Sequence, residues 1–178
     1  MRTSFICSFL FFGWLLNLSA APVEYTRSVY NNYIQAGVSN LSSSGSAYSD
    51  IESINASVGF KTSQKARAEI QYSMIDGISS IDINTLMLNW AYDYYIQPKI
   101  FIYGLAGIGV AKVEIKNWRS ATLNKYVFSY QFNIGIGYAI SDSVTTLLGY
   151  RNIFTDLSLA GKGTCKSSGI DLSIQYSF

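Results

Sequence analysis

The feature that most constrains the fold is a strict alternation near the end of the chain. From Ile170 to Phe178, every even position is Ile, Leu, Tyr or Phe, and every odd position is Asp, Ser or Gln. Because successive side chains of a strand point to opposite faces, this pattern predicts a β-strand with one apolar and one polar face. An aromatic residue such as Phe178 is favoured where such a strand reaches a membrane–water interface. We therefore predict a strand that spans a membrane as part of a β-barrel.

The front of the chain has the order of a secretory signal peptide. Arg2 precedes an apolar run over residues 5–16, and small residues follow at Ala20 and Ala21. The run of about a dozen residues is too short for a spanning helix. We predict cleavage after Ala20; a cut after Ala21 fits the small residues equally well but would place Pro22 directly after the bond.

The length of the remaining chain predicts one domain. We therefore predict a signal peptide at residues 1–20 and an outer-membrane-type β-barrel at residues 21–178. Cys165 is the only cysteine of this second part, which excludes an intrachain disulfide there. The formal net charge of +2 argues against a nucleic-acid partner. The chain is rich in aromatic residues, with 14 Tyr and 10 Phe, and polar residues interrupt every later apolar segment. That mixture is typical of strands with an apolar outer face and a polar inner face.

Eight segments of the chain alternate in this way. They are residues 32–39, 51–61, 66–74, 83–95, 100–115, 128–139, 144–151 and 170–178. Short turns near Thr62, Gln97 and Ser141 alternate with longer connections near Ser44, Gly77, Ser120 and Gly161. An even strand number and this asymmetry of connections predict an all-β fold, namely an eight-stranded antiparallel up-and-down transmembrane β-barrel.

A secreted, lipocalin-like barrel would also alternate, but its apolar set would face inward around a ligand. The polar face separates the two folds. It combines charged residues with glycines: Arg67, Glu69, Asp93, Arg151 and Asp171 with Gly107, Gly109, Gly135 and Gly137. Glycines that all lie on the same face of their strands suit a crowded interior and would make a poor water-facing surface. The membrane barrel is therefore favoured.

Several motifs carry a resemblance to a known family. They are Leu88-Asn89-Trp90-Ala91-Tyr92-Asp93, Pro98, the stretch 103–109, the stretch 132–138, Leu148-Gly149-Tyr150-Arg151, and Tyr176-Ser177-Phe178. The chain resembles small outer-membrane β-barrel proteins, which include the opacity-type surface antigens and the membrane domain of outer-membrane protein A. The resemblance implies an outer-membrane location, with adhesins, structural proteins and weak pores among its members. It also implies that Tyr176 and Phe178 belong to the signal read by the outer-membrane assembly machinery.

The charges on the polar face predict ion pairs inside the barrel. Antiparallel pairing of the third and fourth segments brings Arg67 and Glu69 near Asp93 at one end. Pairing of the seventh and eighth brings Arg151 near Asp171 towards the other end, and we place Glu52 at a similar height. A charge inside a narrow barrel is costly unless it is paired. We predict two ion-pair clusters that plug the lumen, with gating of a small pore as the alternative role.

The sequence offers little for catalysis or metal binding. With no His in the chain, the His-dependent lipid-modifying barrels are not matched, because their hydroxyl nucleophile needs a base. The presence of only one cysteine in residues 21–178 and the lack of His also remove the usual soft and imidazole metal ligands. Asp76 and Asp82 flank a reversal near Asp76-Gly77 and offer oxygen ligands, although turn chemistry explains them more simply. We predict neither an enzyme nor a cofactor.

The longer connections contain the candidate surface contacts. These are Trp118 and Arg119 in the third connection and Phe154 in the fourth, with local packing over the barrel mouth as the alternative. Cys165 lies in the same fourth connection, near two lysines, and is either an idle thiol or a site of intermolecular pairing.

Taken together, these features predict an outer-membrane surface protein that is monomeric and works through its outer connections. The expected partners are outer-membrane lipid, the assembly machinery and a host or cell-surface ligand. A small low-conductance porin is the second candidate function, and a lipid-modifying enzyme is the third.

Overall fold

The computed structural model describes residues 31–44, 50–78, 81–116, 122–156 and 164–178. These ranges contain eight strands. They are β1 (Asn32–Ser44), β2 (Asp50–Lys61), β3 (Ala66–Ile78), β4 (Ile81–Gln97), β5 (Ile100–Lys116), β6 (Thr122–Ala139), β7 (Val144–Asp156) and β8 (Thr164–Ser177). Within the described ranges, no helix is long and apolar enough to cross a membrane.

The eight strands form a closed barrel in which every neighbouring pair is antiparallel and β8 pairs with β1. The stagger of the strands can be followed through directly paired residues. One row runs from Ile34 through Val58, Ile70, Leu88, Ile108, Tyr130, Phe154 and Lys166 to Ser44. The row thus returns to β1 ten residues further along. Such a stagger belongs to strongly tilted strands, which give an eight-stranded barrel its narrow interior. The predicted fold class is confirmed.

The two faces of each strand divide as the alternation predicts. The outward face carries exposed apolar side chains, such as Leu88, Ile134 and Ile174 at 58–63% exposure. The inward face carries buried polar and charged side chains. An apolar belt around the outside and a polar interior is the reverse of a soluble ligand-binding barrel, and it is the arrangement of a barrel that lies in lipid.

The strands extend further than the sequence indicates at one end of the barrel, which we call the distal end. The opposite end, where β1 begins and β8 ends, is the terminal end. Asp76 and Gly77 lie within β3 rather than at a reversal, and the register between β3 and β4 shifts between Ile75 and Ile78. β7 continues to Asp156 and β8 begins at Thr164. Consequently Phe154 and Cys165 lie in strands and not in a long connection, because pairing between β7 and β8 continues past the last regular alternation.

The three connections at the terminal end are short and hydrogen-bonded. Between β2 and β3, the amides of Thr62 and Ser63 donate to the carbonyl of Ala66. Between β6 and β7, the amides of Ile140 and Ser141 donate to the carbonyl of Val144. The four connections at the distal end fall at residues 45–49, 79–80, 117–121 and 157–163, outside the described residues.

Candidate functional site: the charged lumen

Glycines on several strands leave room for large side chains inside this narrow barrel. A Cβ atom at Gly107 would lie 1.9 Å from Oδ1 of Asn89, and one at Gly137 would lie 2.1 Å from the ring of Phe101. These glycines therefore leave space for large side chains from the neighbouring strands β4 and β5. The interior is filled by packing small residues against large ones.

Arg67 holds the first group of charges, close to the terminal end. Its Nε lies 3.3 Å from Oδ1 of Asp93, and its Nη1 lies 3.7 Å from Oε2 of Glu69. The residues are 2%, 5% and 2% exposed, respectively. The structure brings together the three residues that antiparallel pairing of β3 and β4 places near one another.

Uncharged side chains complete this group, which we call the Arg67 cluster. The carboxylate of Glu69 accepts a 2.8 Å hydrogen bond from the Tyr33 hydroxyl. The Arg67 guanidinium carbon lies 5.8 Å from the ring centroid of Tyr33 and 5.5 Å from that of Tyr103. Arg67 Nη1 also donates to Oε1 of Gln175 at 3.2 Å. Aromatic faces and amide oxygens thus surround the buried guanidinium.

The second group of charges lies deeper in the barrel and contains Arg151 and Asp171. Nη1 of Arg151 lies 3.7 Å from Oδ1 of Asp171, so the pair is close but not hydrogen-bonded. Asp171 instead accepts hydrogen bonds from Ser39 at 2.5 Å and from Asn55 at 3.1 Å. Arg151 donates from Nε to Oε1 of Gln131 at 2.9 Å. Each charge therefore has polar partners of its own besides the opposite charge.

Three amide side chains join the two groups into one network. Nδ2 of Asn89 donates to Glu69 at 2.9 Å and to Gln71 at 3.1 Å. Oε1 of Gln71 also accepts from Nη2 of Arg151 at 2.9 Å and from Nε2 of Gln131 at 2.7 Å. The formal charges alone predict two separate clusters and give no indication of these amide bridges. The sequence does contain a signal for these bridges, because all three amide residues lie on the same strand face as the charged lumen residues.

An apolar layer closes the lumen on the distal side of this network. Its members are buried side chains in the distal parts of their strands: Leu41, Ile75, Ile83, Met87, Ala111, Val113, Val127 and Ile153. Cys165, which is half-buried, packs against them. A smaller apolar cluster (Ala91, Phe101, Tyr103, Leu105 and Leu147) lies at the terminal end. The charged network is thus flanked by apolar side chains on both sides.

Glu52 does not belong to the lumen, and its assignment to the second ion-pair group is wrong. It is exposed on the outward face, where it pairs in register with Asn40 and Asp76. The reason is simple parity: Glu52 is two residues from Ile54, so the two side chains share a face.

The other predicted residues are scattered. Trp118 and Arg119 lie outside the described residues. Phe154 faces outward from β7, and its ring stacks on Tyr130 with centroids 4.7 Å apart. Tyr176 and Phe178 are about half exposed on the outward face, with ring centroids 6.4 Å apart.

The described residues include no group of three or more His, Cys, Asp or Glu side chains arranged to hold a metal ion. Asp76, one of the two carboxylates considered from sequence, is exposed on the outward face of β3.

One pair of lumen hydroxyls provides a test of the network. Ser73 and Thr85 pair directly across β3 and β4. Oγ of Ser73 accepts a 3.0 Å hydrogen bond from Arg151, whereas the buried Oγ1 of Thr85 has no protein partner. We expect Ser73→Ala to lower the free energy of unfolding by about 1–3 kcal/mol and Thr85→Val to leave it unchanged or raise it. Urea unfolding in detergent micelles measures both; equal losses would contradict the network described above.

Comparison with known proteins decides the family. Residues 10–178 match the model of the outer membrane protein beta-barrel domain. The chain belongs to this family. It is therefore an outer-membrane β-barrel protein, as the resemblance to small barrels of this type implies. A search among curated protein sequences gave no significant match.

Solved structures of outer-membrane barrels share the fold. The Neisserial surface protein A (NspA) superimposes with a TM-score of 0.70 at 15% identity, covering 83% of this chain and 97% of that protein. The N-terminal β-barrel domain of Pseudomonas aeruginosa OprF gives 0.61 at 12% identity, with coverages of 84% and 98%. Ail, the attachment invasion locus protein of Yersinia pestis, gives 0.58 at 13% identity, with coverages of 84% and 99%. At these identities the likeness establishes the architecture of the barrel.

Proposed function

We propose that this outer-membrane protein is a closed barrel that acts at the cell surface through its distal connections. The single observation that carries this proposal is the filled lumen. Arg67 and Arg151 are 2% and 1% exposed, and the network between them occupies the bore. A solute would have to break buried ion pairs and pass the distal apolar layer, so we favour a surface role over a pore.

The same network gives the charged side chains a structural role in this proposal. Unpaired charges in a narrow interior would be costly, and pairing them through amide bridges offsets that cost. The lumen charges then fix the barrel shape and plug the bore, and the parts left for recognition are the surfaces outside it.

The distal connections are the best candidates for recognition. Outer-membrane barrels have short periplasmic turns and longer outer loops, so the distal end faces the cell exterior. The connection at 117–121 contains Trp118 and Arg119, and that at 157–163 contains Lys162. Ail, a structural neighbour, has been solved with the heparin analogue sucrose octasulfate. Sulfated polysaccharide is therefore a sensible first ligand to test.

Secretion by a cleaved signal peptide at residues 1–20 completes the proposal. Mass measurement of the mature protein would distinguish cleavage after Ala20 from cleavage after Ala21.

A conductance measurement tests the closed lumen. We expect the purified barrel in planar bilayers to give no single-channel steps under conditions in which a general porin does. Reproducible steps that depend on the folded barrel would instead favour the runner-up function, a narrow low-conductance pore.

A binding screen tests the surface role. We would replace 117–121 or 157–163 with Gly/Ser segments of equal length and measure binding of whole cells to heparin and to host-cell surface proteins. The connection 45–49 is already composed mainly of small residues, so the same replacement there is the matched control. Binding that survives both test replacements, or no binding by the unaltered protein, would count against the proposal.

A further inference from the structure

We infer that the backbone edge of β6 at residues 122–128 binds an extended segment of a partner protein, which adds to the sheet as a further strand. The inference rests on the proposed surface role and names the class of partner, a polypeptide strand. It uses the backbone of β6 and not the side chains of the distal connections. The observation behind it is a difference in length between the two ladders that β6 forms.

β6 pairs with β5 over a longer stretch than it pairs with β7. On the β5 side the register is continuous from Thr122 to Tyr138. On the β7 side it begins at Ser129, opposite Thr155. Among the residues that the structure describes, 122–128 therefore have a neighbouring strand on one side only.

Hydrogen bonds at the terminal end of β6 show which backbone groups this arrangement leaves over. The amide of Ala139 donates to the carbonyl of Lys99 at 2.8 Å, on the β5 side. The amide of the next residue, Ile140, donates to the carbonyl of Val144 at 2.9 Å, on the β7 side. Hydrogen bonds alternate in this way along an antiparallel strand, and the ladder between β5 and β6 runs without a shift. The even-numbered residues of 122–128 therefore direct their N–H and C=O groups to the side on which pairing with β7 has ended.

This part of β6 lies beyond the hydrocarbon of the membrane. Asn124 and Tyr126 pair in register with Glu114 and Lys112 of β5, and these two charged side chains form an ion pair on the outward face. The apolar belt of a membrane barrel ends where such charges begin. The side chain of Tyr126 is 70% exposed. A partner would therefore reach this edge from the aqueous side and not from the bilayer.

A row of alternating N–H and C=O groups selects a polypeptide as the partner. The groups along one edge of a strand repeat at every second residue, about 6.8 Å apart, and the edge of another strand has the same repeat. An exposed edge of this kind is a template for strand addition, in which main-chain hydrogen bonds supply the affinity. A glycan or a lipid headgroup does not offer donors and acceptors at this repeat.

The side chains of β6 indicate what kind of segment fits. A residue opposite Tyr126 would face outward beside the exposed ring, where a β-branched or aromatic side chain pairs well. A residue opposite Val127 would face inward, because Val127 is 6% exposed and belongs to the distal apolar layer. The edge therefore fits an extended segment that is rich in β-branched, aromatic or other apolar residues.

Amide hydrogen exchange tests whether the edge is available. It would be followed by NMR on the full-length mature barrel in lipid nanodiscs. We expect the amides of Asn124 and Tyr126 to exchange at least about tenfold faster than those of Lys125 and Val127, whose N–H groups are directed to β5. Equal protection of the two sets would show that the edge is already covered within the chain, and it would overturn the inference.

Peptide probes test the pairing itself. The probe is a short peptide of alternating valine and threonine with a glutamate at each end, and the control is the same peptide methylated on every backbone amide. We expect the probe to slow the exchange of the Asn124 and Tyr126 amides. The methylated peptide should leave it unchanged, because it keeps the side chains and lacks the donors. Slowing by both peptides or by neither would overturn the inference.

Proline variants locate the site. Asn124→Pro and Tyr126→Pro each remove one N–H group from the edge, and both should fold because these N–H groups are not directed to β5. We expect each to weaken binding of the probe at least about fivefold. Asn124→Ala is the matched control, because it changes the side chain and keeps the N–H group. Heat-dependent mobility in gels checks folding. A control that loses as much as Asn124→Pro, or folded proline variants that bind like the unaltered protein, would overturn the inference.

The Gly/Ser replacements of 117–121 and 157–163 separate this inference from the proposed function. We expect both replacements to keep binding of the probe peptide, because the edge of β6 stays in place. If they abolish attachment of cells while the folded proline variants still bind the probe, the surface role stands and the edge is not the binding site.

Discussion

Replacing Arg67 with methionine lowers the free energy of unfolding by about 3–5 kcal/mol. The guanidinium is 2% exposed and faces two carboxylates, those of Asp93 and Glu69. Methionine fills much of the same volume but leaves both carboxylates buried without their cation. The cost of an uncompensated buried charge therefore dominates over any change in packing. Urea unfolding in lipid vesicles, followed by tryptophan fluorescence, measures the loss.

Two further variants identify the cause of that loss. The triple variant Arg67→Met, Glu69→Gln, Asp93→Asn removes all three charges, and we expect it to recover most of the stability lost by the single change. Lys112→Met breaks an ion pair on the partly exposed outward face, and there we expect no measurable effect because solvent screens the pair. A triple variant no more stable than Arg67→Met would show that packing, and not charge balance, explains the first result.

Substituting alanine for Gly169 is expected to destabilise the closure of the barrel between β1 and β8. A Cβ at this position would lie 1.8 Å from the backbone oxygen of Asn40 and 2.8 Å from Cα of Leu41. Both atoms belong to the backbone of β1, which pairs with β8 to close the sheet. Relief requires the two strands to separate locally, so we expect a destabilisation of about 3 kcal/mol or more. The folded fraction after refolding into detergent, read from gel mobility, is the measurement.

Gly104→Ala is the matched control for this variant. Gly104 faces outward from β5, and a Cβ there has no heavy atom within 4 Å. We expect alanine at this position to be neutral or to stabilise the barrel by up to about 1 kcal/mol, through the unfolded chain. If Gly169→Ala refolds as well as Gly104→Ala, the close approach of β1 and β8 does not limit closure.

Strand number and facing were predictable because the alternation is physically simple. Lipid on one face of each strand and a filled lumen on the other impose a period of two on the sequence. Residues such as Ile174 and Asp171 therefore indicate directly which face they occupy. The grouping of Arg67 with Asp93 also followed from antiparallel pairing. The prediction for Glu52 is wrong because it rests on the height of this residue along the barrel. Glu52 lies two residues from the outward-facing Ile54 and therefore shares its face.

The parts of the lumen that could not be predicted from the sequence are those built from uncharged residues. Gln71, Asn89 and Gln131 have no preferred partner in sequence, and three-dimensional proximity alone turns them into bridges. The distal apolar layer escaped notice for a related reason. Ile83 and Ile153 share the polar phase of their strands, where an apolar residue looks like an interruption of the pattern.

The strand registers have a consequence for how this chain can change over evolutionary time. Six of the eight ladders run without a shift, and the two that shift do so near strand ends, between Ile75 and Ile78 and between Tyr95 and Gln97. Losing or gaining one residue in mid-strand would turn every later side chain of that strand to the opposite face, exposing Arg151 to acyl chains, for example. Length variation and inserted epitopes should therefore be tolerated in the connections and at the strand tips, while the spanning parts vary by substitution alone.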